Sequence, residues 1–350
     1  MDKESHGTAR DWAPRSIGLL LGTLVLATTF IAAYVGALHQ PTPRDLPIGV
    51  VSGDQRAQAT LDAVRAQTTI LEPIRYDDPG AAEHALLSRA VYAVLSTGAD
   101  NGLLLTVASA SGPSATSAIK EVLGTATTRA GTPLRIVDKV PVTPADPRGV
   151  VPFYLNVGYV LGGYLASTVL GISAGTTPRT ARRAGLRIAA LAVYSVLLGI
   201  AGAVVVGPVL DIWHGDVPTI AAIGALAVFA AAMFASAVQG WLGVAGTALV
   251  ILLLVVLGNP GSGGIYAPEF LPGVLRGMHR WNIPGLANDL TKAAVYFDWR
   301  SAGWPGSALG IWAVLGGLGL VSASLVRGRR SAPSDPATTR SGPSPDRDGV

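Results

Sequence analysis

Residues 217–257 read VPTIAAIGALAVFAAAMFASAVQGWLGVAGTALVILLLVVL, and no Asp, Glu, Lys or Arg occurs from Val217 to Pro268. A helix that crosses a bilayer needs about 20 apolar residues. This stretch holds two such runs, Val217–Val238 and Trp241–Leu257, with Gln239-Gly240 read as the tight turn between them. A soluble core has no use for so long an uncharged run, so the stretch decides for an integral membrane protein.

Further apolar runs flank it. Val151–Ser173 and Ile188–Leu210 precede it, and Ser307–Val326 follows. Ile17–Leu38 lies near the start. That run exceeds the roughly 7–15 residues of a signal-peptide core, and the following His39-Gln-Pro-Thr-Pro offers no small-residue cleavage site, so an uncleaved anchor is expected. The expectation is a polytopic α-helical membrane protein with about six spans. The composition agrees: 49% of residues are hydrophobic, 14% charged, and mean hydropathy is +0.44. An ordinary soluble chain carries about 25% charged residues. Cysteine is absent, which excludes disulfides, thiolate metal sites and cysteine nucleophiles.

The net charge of +4 does not point to nucleic acid, because the basic residues cluster beside apolar helices. Arg179, Arg182, Arg183 and Arg187 lie between the second and third runs, Arg327, Arg329 and Arg330 follow the last, and Lys3, Arg10 and Arg15 precede the first. The positive-inside rule places these segments in the cytoplasm. With six spans both termini are then cytoplasmic, in a multi-pass protein of the cell membrane. Segment 1–16 is a cytoplasmic N-terminal piece, and 327–350, rich in Ser, Pro, Arg and Asp, is a disordered cytoplasmic tail. Gly258–Trp304 falls outside despite Arg276, Arg280, Lys292 and Arg300, which Glu269, Asp289 and Asp298 partly balance.

Residues 39–150 separate the first span from the five-helix membrane domain, 151–326. Pro41–Arg148 holds 10 Lys and Arg against 11 Asp and Glu. It alternates strand-like runs (Leu46–Val51, Thr69–Arg75, Ala90–Leu95, Leu103–Ala108, Leu134–Val140) with helical ones (Gln55–Ala66, Pro79–Ser88, Ser114–Arg129). Such alternation implies an extracytoplasmic α/β domain inserted between helices 1 and 2.

Motifs for enzymatic chemistry are missing. There is no Walker A sequence, dinucleotide fingerprint or His-Glu-x-x-His, and Ser262 lacks the first glycine of a nucleophile elbow. His6, His39, His84, His214 and His279 have no ligand spacing. No catalytic residue, metal or cofactor is expected. None of the six expected spans carries an acidic or basic residue. Ion-coupled pumps retain such groups despite a cost of roughly 2.5–3.5 kcal/mol each, so energy for any uphill transport is expected to come from a partner.

Two segments stand out. Where the α/β region enters the second span, Asp146, Arg148, Gly149, Tyr154 and Asn156 mark a domain–membrane joint, with Asp146 and Arg148 read as a surface ion pair and Tyr154 and Asn156 near the outer surface. Gly158 and Gly162 have small-xxx-small spacing for helix packing. At the end of the fifth span, Asn259, Pro260, Gly261, Ser262, Gly263 and Gly264 demand irregular backbone. At membrane depth such backbone is tolerated only within protein or beside water, so a re-entrant or pathway-lining element is expected. Valine at Gly263 or Gly264 is expected to harm, and valine at Gly112 to be mild.

These same segments carry a resemblance. Asp146-Pro-Arg-Gly followed by Phe153-Tyr-Leu-Asn, and Gly258-Asn-Pro-Gly-Ser-Gly-Gly followed by Leu271-Pro-Gly and Val295-Tyr-Phe-Asp, resemble actinobacterial type-2 ABC-transporter-permease-like (ABC-2) membrane proteins, a set that includes the phage-infection-protein (YhgE/Pip) group. The layout of one helix, an outer domain and five helices matches over nearly the whole chain. The long insertion of the larger phage-infection proteins is missing. The resemblance implies export or cell-envelope transport, as a homodimer in the lipid bilayer, with or without a separate ATPase subunit. A non-transporting envelope or receptor protein whose outer domain binds a partner is the alternative.

Overall fold

The structure, a computed structural model, describes residues 12–327. Of the expected cytoplasmic segments 1–16 and 327–350, residues 1–11 and 328–350 lie outside the described residues.

A first helix, α1 (Trp12–Leu38), leads into β1 (Leu46–Val51), α2 (Gln55–Arg65), β2 (Leu71–Tyr76), α3 (Pro79–Leu87), β3 (Ala93–Thr97), β4 (Leu103–Val107), α4 (Pro113–Arg129) and β5 (Leu134–Asp138). The five strands form one sheet in the order β2-β1-β3-β4-β5, parallel except for the antiparallel β3–β4 pair. The start of β3 falls later than the sequence suggests because Arg89, at φ +62°, turns the chain after α3. Period-two alternation sorts the strands. Leu46, Ile48, Val50, Leu95, Leu103 and Leu105 face α2 and α4, where Leu61, Ile119 and Leu123 close a buried core. The opposite face packs α3, through Ala82, Ala85 and Leu86, onto Val94. Aspartate caps start two of these helices: Asp54 accepts from Ala57 N, and Asp78 from Ala81 N ahead of Pro79.

The membrane-type helices are α5 (Val151–Ala174), α6 (Ala181–Val204), α7 (Val217–Leu242), α8 (Val244–Ile251) and α11 (Gly303–Arg327), with α9 (Gly273–His279) and α10 (Ile283–Tyr296) between the last two. Among the described residues five helices are long and apolar enough to cross a membrane: Ser16–Leu38, Val151–Ala174, Ala181–Val209, His214–Leu242 and Gly303–Arg327. The sixth expected run is only a short apolar helix, Val244–Val256, whose last turn, Leu252–Val256, widens to π geometry.

The expected turn at Gln239-Gly240 is not there. α7 runs through both residues, and the chain reverses at Gly243, whose φ of +62° suits glycine. Gln239 instead anchors a buried polar network: Ser167 Oγ donates to its Oε1 (3.0 Å), and its Nε2 donates to Thr168 Oγ1 (2.8 Å) and Thr247 Oγ1 (3.3 Å). Arg187, expected in a loop, sits inside α6 with its guanidinium on the last carbonyls of the α5 turn, Leu170, Gly175 and Thr176.

α7 is the central helix, packed against α5, α6 and α11 through small residues such as Ala227 and Ala231. Tyr159 of α5 lies between Gly202 and Gly224 and donates its hydroxyl to Gly199 O at 3.1 Å. A β-carbon at either glycine would stand 2.4 Å from the ring or its oxygen. The expected Gly158–Gly162 pair does not form one packing face. Gly162 abuts Leu198, while Gly158 faces open space, and Gly163 is the α5 glycine pressed against α7.

Candidate functional site at the junction of sheet and bundle

The segment between α8 and α11, expected as an outer loop, folds back into the protein. Asn259, Pro260, Gly261, Ser262, Gly263 and Gly264 are all buried. Pro260–Ser262 form one tight turn, and Gly263 at φ +67° ends it in the left-handed region. Ser262 Oγ donates to Asn259 O (2.7 Å) and accepts from Gly264 N (3.3 Å). Asn282 binds both sides of this region. Its Nδ2 donates to Gly261 O (3.0 Å), and its Oδ1 accepts from Gly285 N (2.5 Å) to cap α10. The helix end is thus tied to the glycine turn by one side chain.

The second flagged segment meets the first. Gly264 lies against Phe153 in the opening turn of α5. Asp146 is buried and accepts from Val150 N (3.0 Å) and Val151 N (2.8 Å), a charged cap on α5. It forms no surface ion pair with Arg148, which is exposed. Both Asp146 carboxylate oxygens are taken by amides at the start of α5, and the chain turns into the helix at Gly149 (φ +62°). Tyr154 is exposed, but Asn156, expected near the surface, is buried and donates to Pro152 O (2.7 Å) and Thr291 Oγ1 of α10 (2.9 Å).

α10 therefore joins both segments, and sequence reading missed it. Its apolar residues Ile283, Leu286, Ala287 and Leu290 belong to the bundle core. Phe297, just past its end, completes the sheet core beneath α3. The signal was present: an Asn cap, Pro284 in the first turn, and apolar residues at helical spacing. Treating the segment's charges only as topology markers hid it.

Those charges form a cluster. Arg89, from the end of α3, donates to Asp289 Oδ1 at 2.7 Å, and His279 Nε2 lies 3.1 Å from Asp289 Oδ2. Burial by itself would raise the Asp289 carboxyl, but the Arg89 and His279 charges outweigh it and hold it well below the usual range. Burial would lower His279, yet Asp289 raises it above its ordinary value. Lys292, one turn along, is buried and donates to Ser111 O at 3.3 Å. Burial, then the neighbouring Arg89, lower its pKa to about 8 against the weaker pull of Asp289 and Asp146. Tyr92 donates to Glu269 Oε2 at 2.8 Å, a second tie between the sheet and the segment before α9. Burial first, and then Glu269, push the Tyr92 phenol well above its ordinary value.

The cluster is thus an ionic clamp between the α/β unit and the bundle. Among the described residues no group of three or more His, Cys, Asp and Glu is placed to hold a metal ion. No family model matches this chain, and no curated protein or solved structure matches it.

Proposed function

We propose that this chain is an ABC-2-permease-like membrane protein, a subunit for export or cell-envelope transport whose energy enters through a partner. In this reading it crosses the cell membrane six times as a homodimer. Both termini are cytoplasmic, and the α/β unit stands outside. The sixth crossing is made by Val244–Val256 together with the buried turn that follows. Thirteen residues of helix rise only about 20 Å, short of the roughly 30 Å hydrocarbon core. The packed backbone of Asn259–Gly264 then completes the span.

One observation carries the reading: an irregular, glycine-rich segment buried among helices, as membrane-depth backbone requires. The charge cluster supports a partner as the energy source. Asp289 is held by two cations and Lys292 by one carbonyl, ties that join the sheet to the bundle as a mechanical joint would.

The test is affinity purification of the tagged full-length chain from its native membranes. Co-purification of a stoichiometric ATPase subunit, with ATP hydrolysis lost when the chain is removed, is the expected outcome. A homogeneous complex with no ATPase overturns it in favour of an envelope receptor. A cavity of about 1280 Å³ between α2 and α4, lined by Gln67, Ala118, Val122, Tyr266 and Phe270 among others, favours that second reading.

A further inference from the structure

The two faces of the sheet are roofed unequally. α2 and α4 cover one face, whereas the other is covered by a single nine-residue helix, α3, together with Phe297 and neighbouring side chains. Five strands about 4.8 Å apart are nearly 20 Å across, whereas a helix is about 10 Å wide. On the α3 side the floor over β3 and β4 is therefore left open beside the helix. A cavity of about 510 Å³ lies there, lined by α3, the ends of β1 and β3, and the residue after β5.

Its position is not arbitrary. The chain leaves β1 toward β2 on one side, while β3 pairs on the other. Open α/β sheets bind ligands at the carboxyl ends of strands where the connections part in this way. Asp54, Thr97 and Val51 lie at this carboxyl edge, whereas β4 runs antiparallel to β3 and β5 parallel to β4, so Lys139, just past β5, reaches the cavity from the opposite end of the sheet.

The lining fits a polar occupant with both charges. Ser96 and Thr106 present hydroxyls from the floor, where a covered sheet face would carry apolar side chains. Val94 and Leu86 supply the apolar part of the wall. Glu83 of α3 and Lys139 after β5 both line the cavity and pair with each other, each about half exposed. Asp54, also in the lining, is already occupied by Thr97 N (2.6 Å), Thr97 Oγ1 (2.6 Å) and Ala57 N (3.0 Å). Its oxygens are thus taken up by neutral donors, and it shapes the site while keeping its negative charge.

We propose that this cavity binds a small zwitterionic molecule of amino-acid or dipeptide size. Its ammonium takes the place of Lys139 at Glu83, and its carboxylate takes the place of Glu83 at Lys139. One ion pair opens and two form, so no charge is left unpaired. A singly charged molecule would strand one of the two residues. The proposal does not depend on the chain's being a transporter.

The experiment is isothermal titration of the full-length protein in detergent micelles with L-alanine, L-glutamate, L-lysine and glycylglycine, and with ethylamine and acetate as singly charged controls. The expected result is saturable binding of at least one zwitterion at millimolar or lower concentration, at least tenfold tighter than either control. Glu83→Gln and Lys139→Met should each weaken it by about tenfold or more, as loss of one charge-assisted bond implies. Both side chains are half exposed, so these variants should keep the wild-type melting temperature, and Thr106→Trp, which fills the cavity, gives an independent block. Absence of binding by all four zwitterions overturns the proposal. So does equal binding of ethylamine or acetate, or binding that survives both charge substitutions.

Discussion

Adding a single carbon at Gly264 should disrupt the junction. A β-carbon built there stands 2.3 Å from Phe153 Cδ2, 2.7 Å from its Cβ and 2.8 Å from its Cγ. Carbon atoms rest about 3.5–4.0 Å apart, so one side must shift by more than about 1 Å. Rotating the ring cannot relieve a clash that includes the Phe153 Cβ. Phe153 is only 6% exposed and sits in the first turn of α5, so the helix start itself must move. Overpacking of this kind costs typically 1–3 kcal/mol, and Gly264→Ala should lie near the top, about 3 kcal/mol. Thermal unfolding of the detergent-solubilised protein should show a loss of about 5 °C or more. The matched control is Gly124→Ala in α4, where a β-carbon meets nothing within 4 Å and should add about 0.5–1 kcal/mol of stability. Gly112, expected from sequence to tolerate bulk, is unsuitable because its β-carbon would lie 2.9 Å from Tyr92 Cε1. The absence of native cysteine allows a second assay. Cysteine placed at Ser262, 1% exposed, should react with an impermeant thiol reagent far more slowly than one at the exposed Gly53. Equal melting temperatures for Gly264→Ala and wild type, together with equal labelling rates at 262 and 53, would refute the packing argument.

The ionic clamp yields further tests. Lys292 is lowered from 10.5 to about 8, so its protonated form disfavours the fold, by ~3 kcal/mol below that pKa. Lys292→Met should therefore raise the melting temperature at pH 7, with the gain shrinking between pH 8 and 10.5; a loss at pH 7 would show that the lysine's bond to Ser111 dominates. Asp289→Asn should destabilise by roughly 3 kcal/mol, because it leaves Arg89 and His279 facing each other without a counter-charge. His279 is raised above its ordinary value by Asp289, so its contribution is full below about pH 6.5 and is lost as pH climbs through the raised value. The melting-temperature deficit of His279→Ala should accordingly be larger at pH 6 than at pH 8.5, and a deficit independent of pH would exclude the charged pair. Asp146→Ala should cost about 1–2 kcal/mol by uncapping α5, whereas Arg148→Ala should be silent in the same unfolding assay.

Membrane insertion and the α/β alternation were legible from residue order alone, because both rest on local rules. An apolar run of sufficient length must leave water, and a period of two or 3.6 residues sorts side chains to one face. Leu46–Val51 and Leu103–Ala108 read as strands from their own residues, and the structure ends the second at Val107. The unusual backbone at Asn259–Gly264 was likewise written in its glycines, since few other residues adopt a positive φ without strain. Partners far apart in sequence were decided only by tertiary structure. Asp146 looked like a surface ion with Arg148 beside it, yet the start of α5 was the better partner because two unsatisfied amides lie on its axis. Asp289 and Lys292 read as charges of an outer loop. They are buried because α10 supplies Leu286 and Leu290 to the bundle, and Arg89, 200 residues earlier in the chain, arrives to neutralise the aspartate. Burial of a charge depends on a counter-charge brought by another element, and nothing within ten residues of Asp289 could have announced Arg89.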